Sequence, residues 1–109
     1  MVSVKIFKNR NDEYVGFSCK GHAGYGEYGQ DIVCSALSML VINTINSIES
    51  LTGCKFTVDA SEDEGIIKLS FESIASDEAK LLIDSMILGI KSVRKQYGKS
   101  HVSLSIKEV

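Results

Sequence analysis

The 109-residue chain contains no proline, no low-complexity tract and no internal repeat. These absences exclude proline-rich linkers, repeat arrays and biased disordered segments. Positive charge is not in excess: the formal net charge is −2, which leaves no electrostatic footprint for nucleic acid. The densest basic group, Lys91, Arg94, Lys95 and Lys99, falls at the end of a helical pattern, where cations complement the helix dipole. Cysteine is scarce and odd in number, with Cys19, Cys34 and Cys54. The opening residues, MVSVKIFKNR, carry no apolar signal region. Both features lead to the expectation of a reduced, cytoplasmic protein with free thiols. The longest apolar run, residues 39–42, is too short to span a bilayer, so no membrane partner is expected.

The chain does have an ordinary globular balance, with 44% hydrophobic and 24% charged residues. Its length fits one domain over residues 1–109, with an expected radius of gyration of about 13 Å. Such a chain buries roughly two-thirds of its unfolded surface, enough for one core without staples.

Local patterns define the elements. Val2, Val4 and Ile6 alternate with polar residues in a strand ending near Asn9, followed by a turn at Asn11, Asp12 and Glu13. Val15, Phe17 and Cys19 alternate in a second strand that Gly21 terminates; by parity Cys19 faces the core and serves packing. Residues 32–51 are apolar over more than one face and form a central helix ended by Gly53. Phe56, Val58 and Ala60, the turn SEDEG and then Ile67, Leu69 and Phe71 make a hairpin, with Cys54 a small core residue at its start. Ser76 caps a second helix carrying Ala79, Leu82, Ile83, Met86, Ile87, Ile90 and Val93, and Gly98 closes it. Val102, Leu104 and Ile106 form the last strand, with His101 solvated at its edge. The order is ββαββαβ. This predicts an α+β domain with a mainly antiparallel sheet and both helices on one face.

One stretch is not explained by packing. Residues 21–38, GHAGYGEYGQDIVCSALS, pass from a strand end through a glycine-rich loop into the apolar helix. A polar glycine loop costs entropy to order and buries little apolar surface. His22 stands at one edge and Cys34 at the other, with Asp31 three residues before the cysteine. A thiol near its reference pKa of about 8.5 is only a few per cent thiolate at neutral pH. A helix beginning at Gln30 or Asp31 would put Cys34 in the first turn, its N–H free for an oxyanion. The dipole contributes about 0.3–1 kcal/mol there, 2 at best, so strong activation needs a cation too, and His22 is the candidate. Gly24, Gly26 and Gly29 relieve the backbone of a segment that gates the site or lies against a ligand. Tyr25 and Tyr28 either contact an extended peptide or pack the loop down. Asp31 either caps the helix or turns towards His22 and orients its ring. On residues alone, Cys34 reads equally as a helix packing residue and as a nucleophile.

GHA followed by GxDIVCSALS resembles the signature of the ribosomal-processing cysteine proteases called Prp, and the likeness extends over nearly the whole chain. It implies a catalytic dyad of His22 and Cys34, supported by Asp31 and by Ser38 one turn after the cysteine. It also implies a small cytoplasmic homodimer without cofactor. The implied reaction trims a short N-terminal extension from the large-subunit ribosomal protein L-twenty-seven, and the implied substrate tail is hydrophobic and aromatic. Two other readings compete. One is a non-catalytic ribosome-assembly or peptide-binding module. The other is a zinc site using Cys19, His22 and Cys34 with Asp31 or Cys54, disfavoured because strand parity turns Cys19 away from the loop.

Overall fold

The computed structural model describes residues 1–21, 28–61 and 63–109, with side chains for all of these except 28–31. Five strands and two helices follow the expected order: β1 (Val2–Lys8), β2 (Tyr14–Lys20), α1 (Tyr28–Leu51), β3 (Phe56–Ser61), β4 (Ile66–Phe71), α2 (Asp77–Tyr97) and β5 (Val102–Glu108). The radius of gyration is 13.5 Å.

Strand order across the sheet is β3-β4-β2-β1-β5. The pairs β1–β2, β2–β4 and β3–β4 are antiparallel, whereas β5 joins β1 in parallel. The sheet is therefore mixed. The parallel pair follows from α2, which carries the chain from β4 past β2 and β1 to the far edge, as a parallel connection requires. Registers line up two rows on the helix-covered face: Leu104, Val4, Cys19, Ile67 and Ala60, then Ile106, Ile6, Phe17, Leu69 and Val58. Val4, Ile6, Phe17 and Leu69 at the centre of these rows are fully buried, while Val58 and Ile106 on the edge strands stay exposed. Burial follows distance from the middle of the sheet.

The expected alternation in β2 fails at one position. Phe7 pairs with Gly16 but Lys8 pairs with Tyr14, so Val15 is an extra residue in a β-bulge. The bulge reverses parity, and Tyr14 rather than Val15 turns into the core. No composition signal marks this slip, because Tyr14 and Val15 suit a strand equally well. Gly16 is needed beside the bulge: a Cβ there would collide with the Leu69 carbonyl oxygen of β4.

Helix α1 begins at Tyr28, earlier than the glycine-rich sequence suggested. Its end also differs from expectation. Thr52 closes it, donating its hydroxyl to Ile48 O at 2.7 Å and accepting the Cys54 N–H at 3.1 Å, so the Gly53 cap is not used. Residues Ile32–Leu51 are long and apolar enough to cross a bilayer by length and composition, which the short unbroken run concealed. In this fold Val33, Leu37, Val41 and Ile48 are fully buried, as in the core helix of a packed domain. Helix α2 matches its signals: Ser76 Oγ accepts the Ala79 N–H at 3.2 Å, Asp77 and Glu78 occupy the first turn, and Arg94 and Lys95 the last. Gly98 N–H closes it on Arg94 O at 2.8 Å. The helices come close at Gly89, where a Cβ would stand 2.9 Å from a Leu40 methyl carbon. His101 is half-buried rather than solvated, and its carbonyl accepts the Val2 N–H at 2.9 Å.

The bulge has an electrostatic consequence. Tyr14 donates its hydroxyl to Asp84 on α2, tying sheet to helix. That bond, with Lys80 assisting, holds the Asp84 carboxyl below the usual carboxylate range, and burial together with Asp84 pushes the Tyr14 phenol up. A hydrogen bond to a charged group contributes about 1.5–3 kcal/mol; with the Asp84 side chain 41% exposed, the low end applies. The depressed Asp84 stabilises above the unfolded carboxyl pKa of about 3.9, an effect lost as pH falls through the folded value. The raised Tyr14 stabilises fully below the unfolded phenol pKa of about 10, an effect lost as pH rises towards the folded value. Tyr14→Phe is therefore expected to lose about 1–1.5 kcal/mol at pH 7, with the deficit shrinking at about pH 3 and above about pH 10. Urea unfolding at the three pH values measures it; a deficit independent of pH would mean that the hydroxyl does not engage Asp84.

Candidate active site

Cys34 is the seventh residue of α1 and so lies in its second turn. The expected first-turn position is corrected: the free N–H groups of a helix starting at Tyr28 are those of residues 28–31, and the Cys34 N–H belongs to the helical ladder. The dipole contribution fades beyond the first turn, so the helix start does less for a nucleophile at this position than the sequence suggested. The same shift corrects one role for Asp31. It is the fourth helical residue, so it is not the N-cap. Asp31, Cys34 and Ser38 succeed one another at i, i+3 and i+7, a single stripe of the helix.

Cys34 is 5% exposed, and with the half-buried Ser38 it forms one wall of a cavity of about 530 Å³. The opposite wall comes from the sheet: Val2 of β1, Cys19 of β2, Ala60 and Ser61 of β3, and Ile66 and Ile67 of β4. Gly21 and Gly65 complete it. The lining is apolar apart from two serine hydroxyls, the thiols and backbone, which suits an extended peptide with hydrophobic side chains. The sheet side of this wall was not singled out from sequence. Its signal was available, since Cys19, Ile67 and Ala60 occupy one cross-strand row, but reading it requires the register of three strands.

Cys19 is in the core, as parity required, yet it is not turned away from the site. It lines the same cavity as Cys34, and burial followed by the neighbouring Cys34 pushes its thiol up to about 11. Parity fixes which face a residue occupies, and here that face carries both core and cavity. Strand parity therefore does not separate Cys19 from Cys34 as zinc ligands, although among the described residues no three His, Cys, Asp or Glu side chains gather as metal ligands. Cys54 lies elsewhere, half-buried, with its Sγ 3.7 Å from Ile74 O.

His22, Gly24, Tyr25 and Gly26 lie outside the described residues, as does Glu62 of the hairpin turn. Tyr28, Gly29 and Asp31 belong to the backbone of α1, with their side chains outside the described set. The described chain reaches Gly21, on the cavity wall and one residue before His22.

A small mixed-sheet domain with a cysteine on the wall of an apolar, peptide-sized cavity has the form of a thiol hydrolase. The chain matches the family Cysteine protease Prp over residues 1–102 and belongs to that family; it is a cysteine protease. It is 31% identical over 101 residues to the ribosomal processing cysteine protease Prp of Bacillus subtilis (strain 168), covering 89% of this chain and 90% of that protein. It also resembles two crystal structures of the essential ribosomal processing protease Prp from S. aureus. The one with a substrate peptide has a TM-score of 0.89 at 26% identity, and the one with a covalently linked product peptide 0.85 at 27%. Each match covers 98% of this chain and 100% of the other.

The two cavity thiols differ in a measurable way. With its thiol pushed up to about 11, Cys19 is expected to react with iodoacetamide at pH 8 at least about 100-fold more slowly in the folded protein than in urea, since only the thiolate reacts. Peptide mapping of the alkylated protein reads the rate at each cysteine. Equal rates for Cys19 in both states would overturn its assignment as a buried protonated thiol.

Proposed function

We propose that this protease removes a short N-terminal extension from the large-subunit ribosomal protein L-twenty-seven, with Cys34 as nucleophile and His22 as its acid–base partner. The observation that carries the reading is the place of Cys34, on the wall of an apolar cavity whose rim includes Gly21, the residue before His22. His22 takes the thiol proton, and the sulfur attacks the scissile carbonyl carbon. The C–N bond breaks as His22 returns the proton to the leaving amine, and water then hydrolyses the thioester. Asp31 orients His22 and stabilises its imidazolium, a role strengthened by its loss of the N-cap position. Ser38, beside Cys34 on the cavity wall, supports the thiol side. The segment carrying Gly24, Tyr25, Gly26, Tyr28 and Gly29 serves as a substrate loop over the dyad. The enzyme works in the cytoplasm as a homodimer, without cofactor, membrane or direct nucleic-acid partner.

Incubating the purified protein with the ribosomal precursor and mapping products by mass spectrometry tests the activity: one internal cut near the precursor N-terminus is expected, and an intact precursor overturns it. Cys34→Ser and His22→Ala are each expected to abolish cleavage with the fold retained, whereas Cys19→Ser keeps activity at some cost in stability from its buried hydroxyl. A Cys34→Ala variant that cleaves at the unmodified rate rules the nucleophile out. For Asp31→Asn, turnover is expected to fall at least about tenfold, near 1.4 kcal/mol in the barrier, with the melting temperature nearly unchanged. Full turnover in Asp31→Asn would mean that its charge plays no part.

A further inference from the structure

The β3–β4 hairpin does more than extend the sheet. Its tip meets the end of β2 just before His22. The ladder between β2 and β4 runs to the pair Lys20 and Ile66, and one step beyond it the Gly21 N–H donates to Gly65 O at 3.0 Å. Gly65 has φ +62, and a Cβ on it would collide with the Gly21 carbonyl oxygen. On the other side, a Cβ on Gly21 would stand 2.9 Å from a methyl carbon of Val2. Gly21 is thus held between the β1 side chain and the hairpin backbone, with no room for a side chain on either glycine.

Turn geometry alone does not require this. A residue at φ near +60° in a hairpin turn is commonly glycine, but asparagine also adopts it. What excludes asparagine at position 65 is the contact with Gly21, two strands away from the turn's own β3 partner. Both glycines also line the cavity that holds Cys34. The tip is tied down from its other side, where the Glu64 N–H donates to Ser61 Oγ at 3.4 Å.

We infer that Gly65 is a positioning residue of the protease: the hairpin tip grips Gly21 and thereby sets where the chain delivers His22 to Cys34. The inference rests on the proposed dyad. Gly65 touches no reacting atom and acts through the Gly21 peptide. A single Cβ at position 65 displaces that peptide, and a displaced base cannot meet the thiol at hydrogen-bond distance.

The test compares Gly65→Ala and Gly65→Asn with the unmodified protein, using single-turnover cleavage of the ribosomal precursor and mapped alkylation of Cys34 by iodoacetamide. Both variants are expected to cleave at least about tenfold more slowly. Alkylation of Cys34 at pH 7 is expected to fall by a similar factor and to change less than about twofold at pH 10, where thiols ionise without a base. A merely structural role would not separate the two pH values. Full turnover in Gly65→Asn with a loss in Gly65→Ala would reduce Gly65 to a turn former and overturn the inference, as would full turnover in both. Should both variants fail to fold, Ser61→Ala, which loosens the tip without adding volume, is expected to slow cleavage and neutral alkylation about two- to fivefold; no change there overturns it. If the unmodified protein leaves the precursor intact, the substrate reading falls, and the alkylation ratio still tests the grip on its own.

Discussion

The structure depends on the burial of one stripe of α1 against the middle of the sheet. Val33, Leu37, Val41 and Ile48 are wholly buried, and Cys34 belongs to the same apolar surface. Burying side chains of this size contributes about 1.5–3 kcal/mol each, and it holds a helix rich in β-branched residues that would be marginal alone. The proposed nucleophile is therefore positioned by the same packing that stabilises the domain. Its place cannot drift without opening the core.

Where that stripe leaves the centre of the sheet, the packing opens into the cavity. Strand order decides this. β3 lies at the edge and pairs only with β4 among the described strands, so the row running from Val4 through Cys19 and Ile67 ends at the exposed Ala60. The result is a groove with a helix wall bearing Cys34 and Ser38 and a sheet wall of small and branched apolar residues. A thiol set low in such a groove is shielded from bulk water, with Cys34 only 5% exposed. The neighbouring Cys19, its thiol pushed up to about 11, behaves as a hydrophobic wall residue.

At the opposite end of β2 a second departure from regularity serves stability. The bulge at Val15 brings Tyr14 inward, and its hydroxyl reaches Asp84 on α2. Without the extra residue the phenol would point to the open face, and α2 would have no polar tie to the sheet at this point. The crossover helix is thus anchored chemically as well as by its apolar stripe of Ala79, Ile83, Met86, Ile87 and Ile90. β5 follows from it, delivered alongside β1 in parallel register.

By itself the sequence determined the element order, the core faces of β1, β4 and α2, the caps at Ser76 and Gly98, and the family to which the GHA and DIVC motifs belong. These are local: they follow from periods of 2 and 3.6 residues, from cap chemistry and from short-range spacing. Only the tertiary structure decided what depends on two strands meeting. Val15 gave way to Tyr14 because a bulge is a property of a pair of strands, not of one. Cys19 came to face Cys34 because a row across three strands, with its register, carries it to the cavity. α1 began at Tyr28 with Gly29 inside it, a glycine in a helix costing only about 1 kcal/mol relative to alanine. The contact of Gly65 with Gly21 lies furthest from sequence reading: the two residues are 44 positions apart, and nothing but the folded sheet brings their backbones together.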